Sequence, residues 1–342
     1  MLPPARVWTL LLAALPVGGP AVGGLAVGGP AVDFASSRVS PAAIAAPESS
    51  AILRAAPNPP WGFVGHEMAA RAAAAVLPAE MPSFFRDAGA QLVHLNPEPD
   101  RWRVWEQREM DQAFAYDHYI DLENIPAGAL DAPDRFVFLR MLYEAGIERP
   151  ERDAGFLPFR IVELYQRIVS GWRRWRVEGD PERRSWIEQR IVNDAGILGH
   201  YVTDASQPHH TTIHFNGWNA DTPNPEGYTR DDEFHARFER YFVEAHVTDV
   251  DVARHTRAGP PPSVAGSVRE AVIGHIMAAH EQVETLYRLD RDAGFDPEAP
   301  ADPGARDFAA ARIAAGADML AALWWSAWRE SAEDIGRDGA GR

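Results

Sequence analysis

Cysteine is absent from all 342 residues, and so is lysine: every one of the 33 basic side chains is an arginine. Without thiols the chain forms no disulfide, no thiolate metal site and no cysteine nucleophile. Any metal must be held by histidine, aspartate, glutamate or backbone groups. The missing lysines mark a compositional bias, since no single function removes them all. An excess of positive charge is missing too. With a formal charge of −16 and a sequence pI near 5.2, the chain lacks the basic face by which a duplex-DNA coater neutralises phosphates. A phosphodiester substrate remains compatible with that balance, because bound metal ions supply local positive charge.

Long hydrophobic runs are lacking as well. Val7 to Val17 is apolar but only about 11 residues long, too short to span a bilayer. Behind a short start carrying one positive charge, it reads as an export signal, so the protein is expected to be exported, periplasmic or secreted. Gly18 to Val32 repeats a unit of small residues that cannot build a packed core. The expected organisation is therefore a signal and low-complexity tract over 1–32, a linker or pro-segment over 33–60, and a single functional domain over 61–335. Ala43-Ile-Ala45 offers one cleavage point. No transmembrane span and no obligate protein partner are evident.

From Trp61 onward the apolar residues follow helical spacing, and no sustained period-2 alternation marks a sheet. Helices are expected over His66 to Val76, Phe136 to Tyr143, Phe159 to Val177, Ser185 to Thr203, Asp232 to Val247, Ser267 to Leu289 and Ala305 to Glu333. The fold class is all-α, one multi-helix domain with long loops, of which Asn216 to Tyr228 is the clearest.

Against that background one stretch carries chemistry. His200 and Asp204 stand four apart, on one face of a helix, as do His235 and Glu239. Imidazole and carboxylate on a shared face suit zinc. Ile191, Ala195, Leu198 and Val202 give the first helix a buried stripe, and Gln207-Pro208 should end it and turn His210 toward the same cavity. Upstream, His66 falls in the first turn of a helix, Asp100 in a Pro-rich loop and His118 beside aromatics. Taken singly, each is more readily a structural histidine or a solvated acid.

Taken in order, Trp61-x4-His66, Asp100, His118-Tyr-x-Asp121, His200-x3-Asp204-x2-Gln-Pro-x-His210 and His235-x3-Glu239 resemble the superfamily of zinc-dependent phospholipases C and single-strand-specific zinc nucleases. The resemblance covers roughly residues 61–246. It implies an all-α fold with a trinuclear zinc cleft between helices. One zinc would be held by Asp100, His118, His200 and Asp204. A second would share Asp204 and add His66 and the backbone at Trp61; a third would take His210, His235 and Glu239. In the family the tryptophan is often the mature N-terminus and binds metal through its free amine. Here Asn58-Pro59-Pro60 precedes it, so Trp61 offers only its carbonyl unless the linker is trimmed.

The implied activity is phosphodiester hydrolysis by a water activated between two ions, with Asp100 orienting that water or taking its proton. Glutamate as the last ligand, its Phe-His-x-x-Phe-Glu setting and the lack of cysteine lean toward a phospholipase C-like enzyme acting on phospholipid. The alternatives are a nuclease acting on single-stranded nucleic acid, and a zinc-binding helical protein without turnover. His209 and His214 flank the expected cleft and are the candidates for substrate contact. Trp172-Arg-Arg-Trp175-Arg176 mixes aromatic and basic groups, but a solvated helix face with one buried tryptophan is the preferred reading. Trp324, Trp325 and Trp328 read as core.

Overall fold

In the computed structural model, which describes residues 62–333, helices supply every extended element. No strand is assigned among those residues; the nearest feature is an isolated bridge between Phe215 and Gly217. The expected all-α class is observed. The export segment, the linker and Trp61 lie outside the described residues.

The first helix, α1 (Phe63–Ala75), is built mainly from Ala, Glu, Met and Arg, all strong helix formers, and Pro78 follows its end. Short helices then alternate with turns: Ser83–Asp87, Gly89–Leu95, Glu98–Arg101, Arg108–Phe114 and Arg135–Glu144. Two long helices follow, α2 (Leu157–Val177) and α3 (Pro181–Asp204), joined by a short turn that makes them antiparallel neighbours. Asp180 caps α3 by accepting the Arg183 N–H at 3.0 Å, and Pro181 occupies the first helical position, where no N–H is needed. A methyl group on Gly171 would come 2.8 Å from Ile191 Cγ1, so glycine there lets α2 and α3 approach closely.

After the turns and short helices that carry the remaining expected ligands come α4 (Val268–His280), α5 (Val283–Asp292) and α6 (Pro303–Glu333). α6 packs across α1, α2 and α3. Ile191, Ala195, Leu198 and Val202 are all buried, as their spacing predicts. Trp172 is fully buried against Phe84, Phe85, Trp175 and Trp328, and Trp324 donates its indole N–H to the Ala195 carbonyl at 3.2 Å. Trp325 and Trp328 pack partly buried against the same core.

Two expected helices differ. Ser267 to Leu289 is broken after His280, whose ring Nδ1 pairs with the Thr211 carbonyl at 2.9 Å. The turn redirects α5 so that Leu286 and Tyr287 are buried, with the Tyr287 ring against Phe234 and Trp218. Tertiary packing overrides a continuous local period here. The helix expected over Asp232 to Val247 begins at Phe234 and passes through a π-helical turn, Arg237–Phe242, of the kind often found at functional sites.

Candidate metal centre

The first turn of α1 and the last turn of α3 meet, and four shorter segments close around them. Asp100 sits in the short helix Glu98–Arg101, not in a loop, and is buried. Arg101 fastens that turn by donating to Glu98 at 2.7 Å and to the His94 carbonyl at 2.9 Å. His118 follows the 3-10 turn Ala115–Asp117. Its segment is held to the His210 turn by reciprocal hydrogen bonds: Ile120 N–H to the His210 carbonyl at 2.9 Å, and His210 Nδ1 to the His118 carbonyl at 2.7 Å. The second bond leaves Nε2 of His210 free to bind a cation. As Gln207-Pro208 predicts, the chain leaves α3 after Asp204 and turns through Pro208–Thr211.

All eight side chains expected as ligands come together in three groups: His66, His200 and Asp204; Asp100, His118 and His200; His210, His235 and Glu239. Around the junction of the first two, His200 Nε2 lies 2.9 Å from His118 Nδ1, 3.3 Å from Asp204 Oδ2 and 3.6 Å from Asp100 Oδ1. His118 Nδ1 is 3.2 Å from Asp204 Oδ2 and 3.9 Å from Asp100 Oδ1. Four donors around a tetrahedral zinc with bonds of about 2.0–2.1 Å stand roughly 3.3 Å apart, in the middle of that range. The other oxygen of Asp204, Oδ1, faces His66 Nε2 at 3.5 Å, so one carboxylate addresses two groups. In the third group, Glu239 Oε2 is 2.8 Å from His235 Nε2 and 3.5 Å from His210 Nε2, and the two nitrogens are 3.2 Å apart.

Electrostatics test whether these residues fit a cation. Both oxygens of Asp100, Asp204 Oδ1 and His66 Nε2 are buried without a hydrogen-bond partner. Leaving such atoms unpaired costs roughly 1–3 kcal/mol each. Burial pushes the Asp100 and Asp204 carboxyls well above their usual range. The same desolvation takes His118 and His200 well below theirs, and His66 down to about 3. Burial opposes ionisation of Glu239 as well, but His235 and His210 beside it take its pKa below the ordinary carboxylate range. Neutral imidazoles and unpaired oxygens aimed at shared points are the donor set that zinc binds, and the residues fit it.

Several supporting residues carry no signal of their own in the sequence reading. Asn96 Oδ1 is 3.0 Å from His66 Nδ1, which directs Nε2 inward. Gln207 donates to Glu239 Oε2 at 2.9 Å, so the residue that ends the helix also orients an expected ligand. Beside the groups opens a cavity of about 610 Å³, reached by His118, His210, His235 and Glu239. Arg103, Arg152, Asn124, Asn216, Asn219 and Phe215 form much of its wall. Asp121, also on that wall, is pushed up to about 8, by burial first and then by Glu123 and Asp153. Of the two candidates for substrate contact, His209 borders this cavity but is buried among Phe234, Phe238 and Tyr287. His214 stacks on Trp218 at 3.8 Å and opens to a separate cavity of about 330 Å³.

No protein-family model, curated protein or solved structure matches this chain. The resemblance to the phospholipase C and nuclease superfamily therefore rests on the residues themselves.

Proposed function

We propose that the protein is an exported zinc-dependent phosphodiester hydrolase, phospholipase C-like in its chemistry. The observation that carries this reading is the set of three imidazole–carboxylate groups, one carboxylate shared, two of which reach one open cavity through His118, His210, His235 and Glu239. Asp100, His118, His200 and Asp204 would hold one ion; His66 with Asp204, one close by; and His210, His235 and Glu239, another. When bound, zinc supplies Lewis acidity, acidifying water and neutralising phosphoryl charge. The chain supplies the rest. Asp100, with both oxygens unpartnered, orients the attacking water or accepts its proton. Arg103 and Arg152 on the cavity wall offset the anionic phosphodiester. A water oxygen bonds to phosphorus, one ester P–O bond breaks, and a proton passes to the departing alkoxide.

A second reading, cleavage of single-stranded nucleic acid, is favoured by one feature of the cavity wall. Asn124, Asn216 and Asn219 offer amide donors and acceptors, and Tyr119 and Phe215 offer ring faces, groups that suit an unstacked base. A zinc protein without turnover would need a closed cleft, and the open volume beside the groups speaks against it.

The test sets phosphatidylcholine vesicles beside denatured DNA, each with the zinc-loaded protein. Release of a phosphorylated headgroup supports the first reading. Turnover of DNA alone replaces the substrate, and turnover of neither overturns the hydrolase.

A further inference from the structure

The pattern Trp172-Arg-Arg-Trp175-Arg176 is left unused by the metal cleft. Its tryptophans face inward: Trp172 is fully buried, and Trp175 is half-buried, with the Arg184 guanidinium 4.0 Å from its ring centre and its indole N–H given to Glu188. What α2 and α3 present outward is a different set. On α2, Arg167, Ser170, Arg174 and Val177 are exposed at intervals of three and four residues and form one stripe. On α3, Arg183, Trp186 and Arg190 do the same.

Asp194 joins the stripes. Arg167 reaches across from α2 to pair with it at 2.7 Å, and Arg190 lies 3.6 Å from its other oxygen. The two stripes are thus halves of one face. Arg174 and Arg183 form no ion pair among the described residues. Of the acids nearby, Asp194 is buried, and Glu178 and Asp180 accept backbone N–H groups in the turn. Glu182, one turn before Trp186, is exposed. Val177 is 68% exposed and Trp186 57%. On a chain of net charge −16, a face with four arginines and two protruding apolar side chains is set apart from its surroundings.

We infer that this α2–α3 face docks the protein on a lipid surface carrying anionic headgroups. Trp186 and Val177 enter the interfacial layer, where an indole is favoured. Arg167, Arg174, Arg183 and Arg190 meet the headgroup phosphates, two of whose oxygens can accept from the planar guanidinium fork. A single-stranded nucleic acid fits less well: it needs successive ring platforms along a groove, whereas Trp186 stands alone and Val177 has no π-face. Trp186 precedes the ligand His200 by 14 residues of α3, on the order of 20 Å at 1.5 Å per residue. The face therefore anchors the protein and leaves the chemistry to the cleft, so it is independent of the hydrolase reading.

The test is co-sedimentation of the full-length, zinc-loaded chain with phosphatidylglycerol or phosphatidylcholine vesicles at low salt. The comparison is a variant carrying Arg174→Gln, Arg183→Gln and Trp186→Ser. These side chains are exposed and make no ion pair, so the fold should hold, with an unchanged melting temperature as the check. The expected result is binding to phosphatidylglycerol that weakens by roughly tenfold or more in the variant, with hydrolysis of a soluble phosphodiester unaltered. Absent binding to phosphatidylglycerol, or equal binding by the variant, overturns the assignment. So does a variant that loses denatured DNA and keeps vesicles. Loss of hydrolysis with vesicle binding intact would strike the cleft reading alone.

Discussion

Asn96 Oδ1 lies 3.0 Å from Nδ1 of His66, and both side chains are fully buried. The asparagine reaches that position because residue 199, directly before the expected ligand His200, is a glycine: a Cβ there would come 2.4 Å from Asn96 Nδ2. Replacing Asn96 with Ala should weaken zinc binding at the His66–Asp204 group about 10- to 100-fold, as loss of a partner to a metal-binding histidine does. Competition against a chromogenic chelator measures it, and unchanged affinity would remove Asn96 from this role. Gly199→Ala should lower both zinc affinity and melting temperature, although alanine alone favours a helix by about 1 kcal/mol.

Zinc uptake should release protons. Burial raises the Asp100 and Asp204 carboxyls, so the ion-free protein holds protons that a cation must displace. Calorimetric titration in buffers of different ionisation enthalpy reads their number. A binding heat that does not depend on buffer would contradict the prediction.

Chelation should also destabilise the fold, because the unpaired oxygens of Asp100 and Asp204 lose the partner they are aimed at. At zinc concentrations near a thousand times Kd, linkage alone amounts to about 4 kcal/mol. In a domain of this size that is on the order of 10 °C in Tm. An unchanged Tm in strong chelator counts against the metal centre.

Asp100→Asn keeps the size of the side chain and removes its basicity. The expected outcome is a fall in kcat of about 10²- to 10⁴-fold, the usual scale for a positioned acid–base group. Full zinc content with full activity would show that Asp100 neither orients nor deprotonates the water.

Acid sensitivity should have a component from a histidine outside the expected ligand set. His275 on α4 has its Nε2 shielded and unpartnered, and burial lowers its pKa to about 4. The unfolded chain takes up this proton near pH 6.5, so stability should fall as pH drops from about 6.5 to 4 and level off below. Because part of the residue reaches the surface, roughly 2 kcal/mol is expected rather than the full linkage value. His275→Gln should flatten that limb of a Tm-against-pH curve; an identical acid limb in the variant would exclude this histidine.

The parts of the centre legible in the sequence are the local ones. His200 with Asp204 and His235 with Glu239 share helical faces, so spacing alone pairs them, and Gln207-Pro208 announces the turn that returns His210. Asp100 comes from a one-turn helix and His118 from the end of a 3-10 turn, neither with a period of its own; only resemblance joined them to the set. Asn96 was silent because its role depends on a close approach to Gly199, about 100 residues away. The break after His280 is imposed by Thr211, and the π-helical turn at Arg237–Phe242 adds a residue that a 3.6-residue period does not reveal. The capping box at Thr248 and Asp251, by contrast, was there to be read and marks the start of a helix at Asp249.

Elemental analysis of the purified chain, dialysed against trace zinc, tests the central claim most directly. Three ions per polypeptide are expected, falling to about two in His235→Ala with the fold retained. Fewer than one ion per polypeptide would contradict the account.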